Sequence, residues 1–175
     1  MVLARLILGL LSLSPMTGYE LKKHFDSSIN HFWNADKAQI YRTLAQLVDK
    51  GYATVHTVAQ SNYPDRQEHH ITAAGREALT QWLAGGPVQS PERDPFMGQV
   101  FFAAELEREE IASLLLQRRK NTQYVLDDYL SQREGIDMRA AADRRSFLMA
   151  ATLDHAIRQQ AAELEWLDAV LEHLP

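Results

Sequence analysis

The segment from Asp36 to Lys50 limits what this chain can fold into more than any other part of its sequence. Its apolar residues recur every three or four positions, which predicts a helix with one buried face: Ile40, Leu44, Leu47 and Val48. Asp36 is an N-cap residue, Gln39 can complete a capping box with it, and Gly51 suits the left-handed stop after a helix. The segment therefore predicts a capped helix with one face left outside the core.

The exposed face of this helix predicts contact with DNA. It carries Lys37, Gln39, Arg42, Ala45, Gln46 and Asp49. Arg and Gln side chains can read base edges in the major groove, and Lys37 suits a phosphate. The alternative interpretation is a solvated helix face. A second short helix before it favours a recognition helix, with Lys37, Gln39 and Arg42 as DNA contacts.

The residues before this helix predict its partner in a helix–turn–helix. Val2 to Leu13 is an apolar helix with Arg5 as its one charge, ended by Ser14-Pro-Met. Thr17-Gly-Tyr-Glu is a capping box that starts a second helix, with Leu21 and Phe25 inward. Tyr19 and Lys22 would face outward, where that helix crosses the DNA backbone.

After Gly51 the hydrophobic period changes from 3.6 to 2, which predicts a β-hairpin. The strands are Tyr52 to Val58 and a return at His69 to Ile71, joined by a turn from Ser61 to Arg66. Thr72 then caps a helix with Leu79, Trp82 and Leu83 as its apolar positions. The order predicts a winged helix–turn–helix domain over residues 1–84, with Arg66 at the wing tip as a further DNA contact.

Residues 85–95 hold three prolines and predict a linker, and residues 96–175 predict helices only. A short apolar piece from Pro95 to Ala104 precedes helices at Glu107 to Glu134 and Asp137 to Leu174. The last helix has an apolar seam at alternating spacings of three and four, typical of helix pairing. We expect residues 96–175 to form an antiparallel, all-α dimerisation domain, with dimer contacts on the last helix at Leu153, Ile157, Leu164, Leu167 and Leu171.

Composition narrows the classes of function. The net charge of −5 argues against binding nucleic acid through bulk positive charge, but residues 1–84 carry +1 and residues 85–175 carry −6. The absence of cysteine excludes disulfides, thiol catalysis and cysteine-bound zinc. The apolar start is too short for a signal peptide or a membrane span, so we expect a cytoplasmic protein without membrane attachment.

Other candidate sites have weaker support. The aromatic residues Phe96, Phe101, Phe102 and Trp166 could form an effector pocket, although plain core or dimer packing explains them as well. The seven histidines show no metal-ligand spacing, so no metal and no cofactor is predicted. No phosphate loop, nucleophile elbow or carboxylate pair is present, so we do not predict an enzyme.

Five segments resemble PadR-type transcriptional regulators in order and spacing. They are Ile7-Leu-Gly-Leu-Leu-Ser-Leu, Gly18-Tyr-Glu-Leu, Ile40-Tyr-Arg-Thr-Leu, Leu47-Val-Asp-Lys-Gly-Tyr and Ile71-Thr-Ala-Ala-Gly-Arg-Glu-Ala-Leu. The resemblance covers residues 2–84, and the acidic tail resembles the C-terminal domain of longer family members. It implies a dimeric winged-helix repressor, often released from DNA by phenolic acids or other small apolar molecules.

The resemblance also bears on single residues. The family keeps a tyrosine at Tyr41, which implies a phosphate contact there. The family's wing has a Gly-Arg-Pro turn, a basic pair and a tyrosine, whereas this chain reads Tyr63-Pro-Asp-Arg-Gln-Glu-His-His. Arg66 is retained and the other wing charges are not, which predicts a weakened minor-groove contact.

Two functional hypotheses follow. In the first, a homodimeric repressor places two recognition helices in successive major grooves about 34–36 Å apart, on an inverted-repeat operator of double-stranded DNA, and a small-molecule effector alters that spacing. In the second, a protein-interaction module keeps the winged fold and binds a partner through its acidic helices. Steep salt dependence would favour the first hypothesis.

Overall fold

Helices account for most of the chain, and one small antiparallel sheet lies in its first half. The structure is a computed structural model that describes residues 2–59, 66–87, 94–133, 138 and 141–175. The chain divides between residues 89 and 90 into an N-terminal unit and a C-terminal unit. The predicted fold class, mainly α with a small β wing followed by a helical tail, is confirmed.

The N-terminal unit is a three-helix core with a wing and a closing helix. Its elements in chain order are α1 (Val2–Leu11), β1 (Met16–Thr17), α2 (Gly18–Ser27), α3 (Lys37–Asp49), β2 (Ala53–Val58), β3 (Arg66–Ile71) and α4 (Ala73–Ala84). The core gathers buried apolar side chains from α1, α2 and α3, with Ile7, Phe25 and Ile40 almost fully enclosed. Burying these residues is the main source of stability for the unit.

Capping determines where α2 and α3 begin. The Thr17 hydroxyl accepts from the Glu20 amide at 3.1 Å, and the Glu20 carboxylate accepts from the Thr17 amide at 2.8 Å. At α3 the Asp36 carboxylate accepts from the Gln39 amide at 2.7 Å, and the Gln39 carbonyl oxygen accepts from the Asp36 amide at 3.1 Å. Both predicted capping boxes are therefore confirmed.

A Schellman motif ends α3 at Gly51, whose φ is +70°. The Tyr52 amide donates to the Leu47 carbonyl and the Gly51 amide to the Val48 carbonyl, both at 2.9 Å. These bonds satisfy carbonyls that a helix end otherwise leaves open, and they fix the direction in which the chain enters the wing.

The sheet has a third strand that the sequence did not reveal. Its order is β1-β3-β2, with Met16 and Val55 both opposite His69. Met16, predicted to be part of a helix break, is a buried strand residue, and α1 ends at Leu11 rather than Leu13. Two residues of extended chain give no period to read, so only the pairing with β3 defines this strand.

One further boundary and the exposure of one residue differ from prediction. β3 begins at Arg66, three residues before the predicted return strand, and Arg66 pairs with Val58. Leu83, one of the predicted apolar positions of α4, is 66% exposed. The predicted turn residues 61–65 lie outside the described residues.

The C-terminal unit pairs two long helices and adds a short one. Its elements are α5 (Pro95–Phe101), a 3-10 turn (Ala103–Glu105), α6 (Arg108–Arg133) and α7 (Arg144–His173). Asp143 caps α7 by accepting from the Ser146 amide at 2.9 Å. The helix therefore begins at Arg144, later than the predicted Asp137, which lies outside the described residues, and the described residues 141–143 before it are not helical. Its 30 residues span about 45 Å at about 1.5 Å each.

Packing and ion pairs hold α6 against α7. Leu115 and Leu167 are fully buried beside Phe96. Arg118 Nε lies 2.5 Å from the Glu163 carboxylate, and Arg119 Nε lies 2.5 Å from Asp168. Because Glu163 and Asp168 are on α7, these arginines of α6 link the two helices. No helix described here is both long enough and apolar enough to cross a membrane.

Candidate nucleic-acid interface

The exposed face of α3 is the centre of the candidate interface. Ile40, Thr43, Leu44 and Leu47 are buried, which turns Arg42 and its neighbours outward. Arg42 is exposed, and its side chain has no hydrogen bond or ion pair within the described part of the chain. A guanidinium without an internal partner remains available for a bidentate contact with a base or a phosphate.

Lys37 and Gln39 are exposed at the first turn of α3. The Lys37 ammonium lies 5.8 Å from the centroid of the Tyr41 ring, a cation–π arrangement that turns the charge toward Tyr41. The Gln39 carbonyl oxygen is committed to the helix cap, so only its amide group can donate to another partner. Gln39 can therefore donate to a base or a phosphate while the cap stays closed.

Tyr41 packs against α2 through a glycine. A Cβ added to Gly18 would lie 2.7 Å from the Cζ atom of Tyr41, closer than atoms can approach. Gly18 is buried and Tyr41 remains 43% exposed, so one side of the ring covers the start of α2 while another side is open. The Gly18–Tyr41 contact thus sets how closely the two helices of the motif approach.

Tyr19 and Lys22 lie on α2, as the sequence predicted, but only Lys22 forms an ion pair within the described residues. Tyr19 is 71% exposed. Lys22 forms an ion pair with Asp26 one turn further along the helix. A contact between Lys22 and a phosphate would have to compete with that neighbouring carboxylate.

Arg66 opens β3 and is surrounded by acidic groups. It pairs with Glu68, and its Nη1 lies 3.7 Å from the Glu20 carboxylate. The hydrogen bond from the Thr17 amide lowers the pKa of Glu20, and nearby Arg66 lowers it further, so this carboxylate stays charged near neutral pH. Arg66 therefore links the wing to the start of α2, with much of its charge balanced inside the unit.

The four aromatic residues proposed for an effector pocket are not brought together. Phe96 and Trp166 form an edge-on pair with ring centroids 6.4 Å apart, and the Arg118 guanidinium carbon lies 4.9 Å from the Phe96 centroid. Phe101 and Phe102 pair with each other at 5.0 Å and are 80% and 72% exposed. The first pair belongs to the core of the C-terminal unit, and the second is an open apolar surface.

The residues predicted for dimerisation are mostly covered within the chain. Leu153, Ile157, Leu164 and Leu167 are buried and Leu171 is half-buried, on a helix whose packing partner is α6. The exposed apolar residues of α7 lie instead near its start, at Phe147, Leu148 and Met149. A seam in the sequence shows that a helix face is covered, without showing which helix covers it.

The histidines form no metal cluster among the described residues. His56 and His70 face each other on the wing with ring centroids 4.3 Å apart, whereas His69 points to the opposite, buried face. Burial lowers the pKa of His69, because the charged imidazolium loses solvation there.

Sequence reasoning did not find the contact between Gly18 and Tyr41, or a pocket between α1 and the end of α3. Both belong to segments used for the resemblance, Gly18-Tyr-Glu-Leu and Leu47-Val-Asp-Lys-Gly-Tyr. A glycine one residue inside a helix was the available signal for the first. No short sequence pattern predicts the pocket, since its lining residues come from two segments that are distant in the sequence.

Two family profiles together span most of the chain. Residues 7–81 match the transcriptional regulator PadR-like family, and residues 92–175 match a family described as virulence activator alpha, C-terminal. A probable transcriptional regulator of Mycobacterium tuberculosis is 31% identical over 99% of this chain and 98% of its own. The negative transcriptional regulator PadR of Bacillus subtilis is 28% identical over 97% of this chain and 96% of its own.

Solved structures agree with these matches. The complex of Bacillus subtilis PadR with operator DNA aligns with a TM-score of 0.89 at 26% identity, covering all of both chains. The complex of the same protein with p-coumaric acid aligns with a TM-score of 0.82 at 25% identity over 99% of both chains.

Proposed function

Because the chain belongs to the transcriptional regulator PadR-like family, we propose that it is a sequence-specific DNA-binding repressor that acts as a homodimer. The observation that carries this proposal is the exposed face of α3, with Arg42 unpaired among the described residues and Lys37, Gln39 and Tyr41 beside it. The likeness to Bacillus subtilis PadR bound to operator DNA supports it. The negative regulation named for that relative favours repression over activation.

The proposed contacts differ in their role. Arg42 and Gln39 would read base edges in the major groove, while Lys37 and Tyr41 would bind phosphates at its border. Tyr19 on α2 would bind the DNA backbone, with Lys22 after release from Asp26. Arg66 would contribute least, because Glu68 and Glu20 already balance its charge.

A homodimer explains how two such helices could bind together. Two copies of α3 would enter successive major grooves about 34–36 Å apart, so the operator would be an inverted repeat. The exposed residues Phe147, Leu148 and Met149 on α7 support a contact between two copies, since apolar side chains grouped on a surface favour burial.

We also propose that a small aromatic or apolar ligand releases the protein from DNA. The likeness to the p-coumaric acid complex of Bacillus subtilis PadR supports this, and the open pair Phe101–Phe102 offers an apolar surface for such a ligand. Ligand binding that altered the contact between two tails would change the spacing of the two α3 helices, so that both could no longer dock. Adding p-coumaric acid to an operator complex, with benzoic acid as a smaller comparison, tests the release.

The first test is operator binding by an Arg42→Ala variant. Footprinting on the DNA upstream of the protein's own gene locates the operator, and a fluorescence titration measures affinity. The variant should bind about 1–3 kcal/mol more weakly, the range for a bidentate base contact. Arg76→Ala, which removes an equal charge from an exposed site on α4, is the control. A change below about 1 kcal/mol would make Arg42 a bystander.

The internal pairing of Arg66 also favours a second candidate, a module that binds a protein partner through the acidic tail. Salt distinguishes the two functions. A DNA-binding protein loses affinity steeply as salt rises, because phosphate contacts release counterions. Absence of binding to promoter DNA at low salt would favour the second candidate.

A further inference from the structure

A small pocket lies beside the recognition face, between α1 and the end of α3. Its volume is about 90 Å³, and it is lined by Ala4, Arg5, Gln46, Leu47, Lys50 and Tyr52. A water molecule occupies about 30 Å³ of the liquid, so this space is comparable with a group of a few heavy atoms. Buried Leu47 forms its apolar part, and the remaining polar groups are mainly hydrogen-bond donors.

The charge in the pocket is positive, and no described residue forms an ion pair with it. Neither Arg5 nor Lys50 has an ion pair in the described ranges of the chain. The Arg5 guanidinium carbon lies 5.9 Å from the centroid of the Tyr52 ring, a contact that orients the group but leaves its charge unneutralised. Arg5 is half-buried and is the one charged residue in an otherwise apolar helix, so its position there calls for a partner.

The end of α3 would ordinarily repel an anion, because free carbonyls give it partial negative charge. Here three of those carbonyls accept hydrogen bonds. The Lys50 amide donates to the Gln46 carbonyl, and the Schellman motif uses the carbonyls of Leu47 and Val48. The full positive charges that line the pocket are those of Arg5 and Lys50.

The walls of the pocket rest on fixed backbone. The Tyr52 carbonyl accepts from the Thr72 amide at 3.1 Å, and the Thr72 hydroxyl donates to the Gly51 carbonyl at 2.7 Å. The start of α4 thus anchors the end of α3. This anchoring holds the backbone that carries Lys50 and Tyr52, so the ordering cost of binding a ligand falls on the side chains of Arg5 and Lys50.

We propose that this pocket binds a phosphate-type oxyanion, held by Arg5 and Lys50 with Gln46 as a further donor. Arg42 and Gln46 on α3 and its C-cap residue Lys50 follow one another at spacings of four, so the pocket continues the stripe that begins on the recognition face. The oxyanion is either a phosphate of operator DNA or a free phosphate group. In its DNA form this inference rests on the proposed function.

The first arm of the test measures how operator affinity depends on salt for the full chain. If a DNA phosphate occupies the pocket, Lys50→Gln should reduce the slope of log affinity against log salt by about 0.9, the value for one lost phosphate contact. Arg5→Gln should do the same. Lys120→Gln removes an equal charge from the C-terminal unit and should leave the slope unchanged.

The second arm titrates inorganic phosphate into DNA-free protein and follows backbone amide signals by NMR at constant ionic strength. A free-anion site predicts saturable shifts at Lys50 and Tyr52, with binding about tenfold weaker in Lys50→Gln and unchanged in Lys120→Gln. Circular dichroism checks that each variant is folded.

The arms separate the outcomes. A slope change points to a DNA phosphate, and saturable phosphate shifts point to a free anion. An unchanged slope together with no saturable shifts overturns the proposal. Wild-type protein that binds no DNA would refute the proposed function, and the phosphate titration would then decide the pocket alone.

Discussion

At the scale of single residues, the structure explains why glycine occupies two positions, because any side chain there would clash with a neighbouring group. A Cβ on Gly18 would meet the Tyr41 ring, and a Cβ on Gly75 would lie 2.1 Å from the Tyr52 carbonyl oxygen. The first obstacle is the end of a side chain and the second is backbone. Gly75 is therefore the less replaceable of the two, because the backbone at Tyr52 also joins α3 to the wing.

Gly75→Ala should destabilise the N-terminal unit by about 2 kcal/mol or more, since the start of α4 would have to move away from Tyr52. Gly9→Ala is the matched control, because a Cβ at Gly9 would meet no described atom within 4 Å beyond its chain neighbours and the backbone of its own helix. That change should stabilise α1 by about 0.5–1 kcal/mol, the usual gain for alanine over glycine inside a helix. Urea unfolding measures both, and equal effects would contradict the role of Gly75.

At the scale of secondary-structure elements, prediction succeeded where the information is local. Asp36 and Gln39, or Thr17 and Glu20, are three residues apart, so each cap could be read from the sequence. β1 could not, because its strand character depends on pairing with β3 some fifty residues later. The counterions of Arg66 were missed for a similar reason, since Glu20 becomes its neighbour only through folding.

The candidate site follows the same division. The outward face of α3 was predictable because helix periodicity assigns Ile40 and Leu44 to the core and Arg42 to solvent. The partner of α7 was not, because an apolar seam containing Leu164 and Leu167 fits α6 of the same chain as well as a helix of another. Which fit is realised depends on tertiary packing.

His69 should make the stability of the sheet depend on pH. Burial lowers its pKa in the folded protein, so the unfolded chain takes up a proton first as pH falls below about 6.5. The free energy of unfolding therefore decreases as pH falls from about 6.5 to the lowered pKa of His69 in the folded protein. Below that pKa both states are protonated at His69, and this residue causes no further decrease. Thermal unfolding from pH 8 to 5 should show a smaller decline for His69→Leu than for the wild type.

His173→Gln, at the exposed end of α7, is the control for that experiment and should follow the wild-type curve. His31, whose pKa burial also lowers, remains in both proteins, so the decline should shrink without disappearing. Identical pH dependence in His69→Leu and wild type would show that His69 contributes no such coupling.

At the scale of the whole molecule, the two halves of the chain differ in net charge and in the residues that they expose. Residues 1–84 carry a net charge of +1 and contain the face of α3, whereas residues 85–175 carry −6. An acidic tail would be repelled by DNA, so it suits contact with another copy better than contact with the operator. The exposed residues Phe147, Leu148 and Met149 at the start of α7 are where we expect that contact.

Leu148→Glu should therefore convert the proposed dimer into monomers, because a charge would be buried in an apolar contact. Sedimentation measures the change, and Leu83→Glu, at a similarly exposed leucine on α4, should sediment as the wild type does. Leu148→Glu should bind a single DNA half-site as tightly as the wild type does, since α3 is intact. It should lose the additional affinity for the full inverted repeat, which comes from tethering two half-site contacts. If Leu148→Glu remains dimeric, the contact between the two copies lies on another surface. If Leu148→Glu binds the half-site more weakly than the wild type, the substitution has damaged the N-terminal unit.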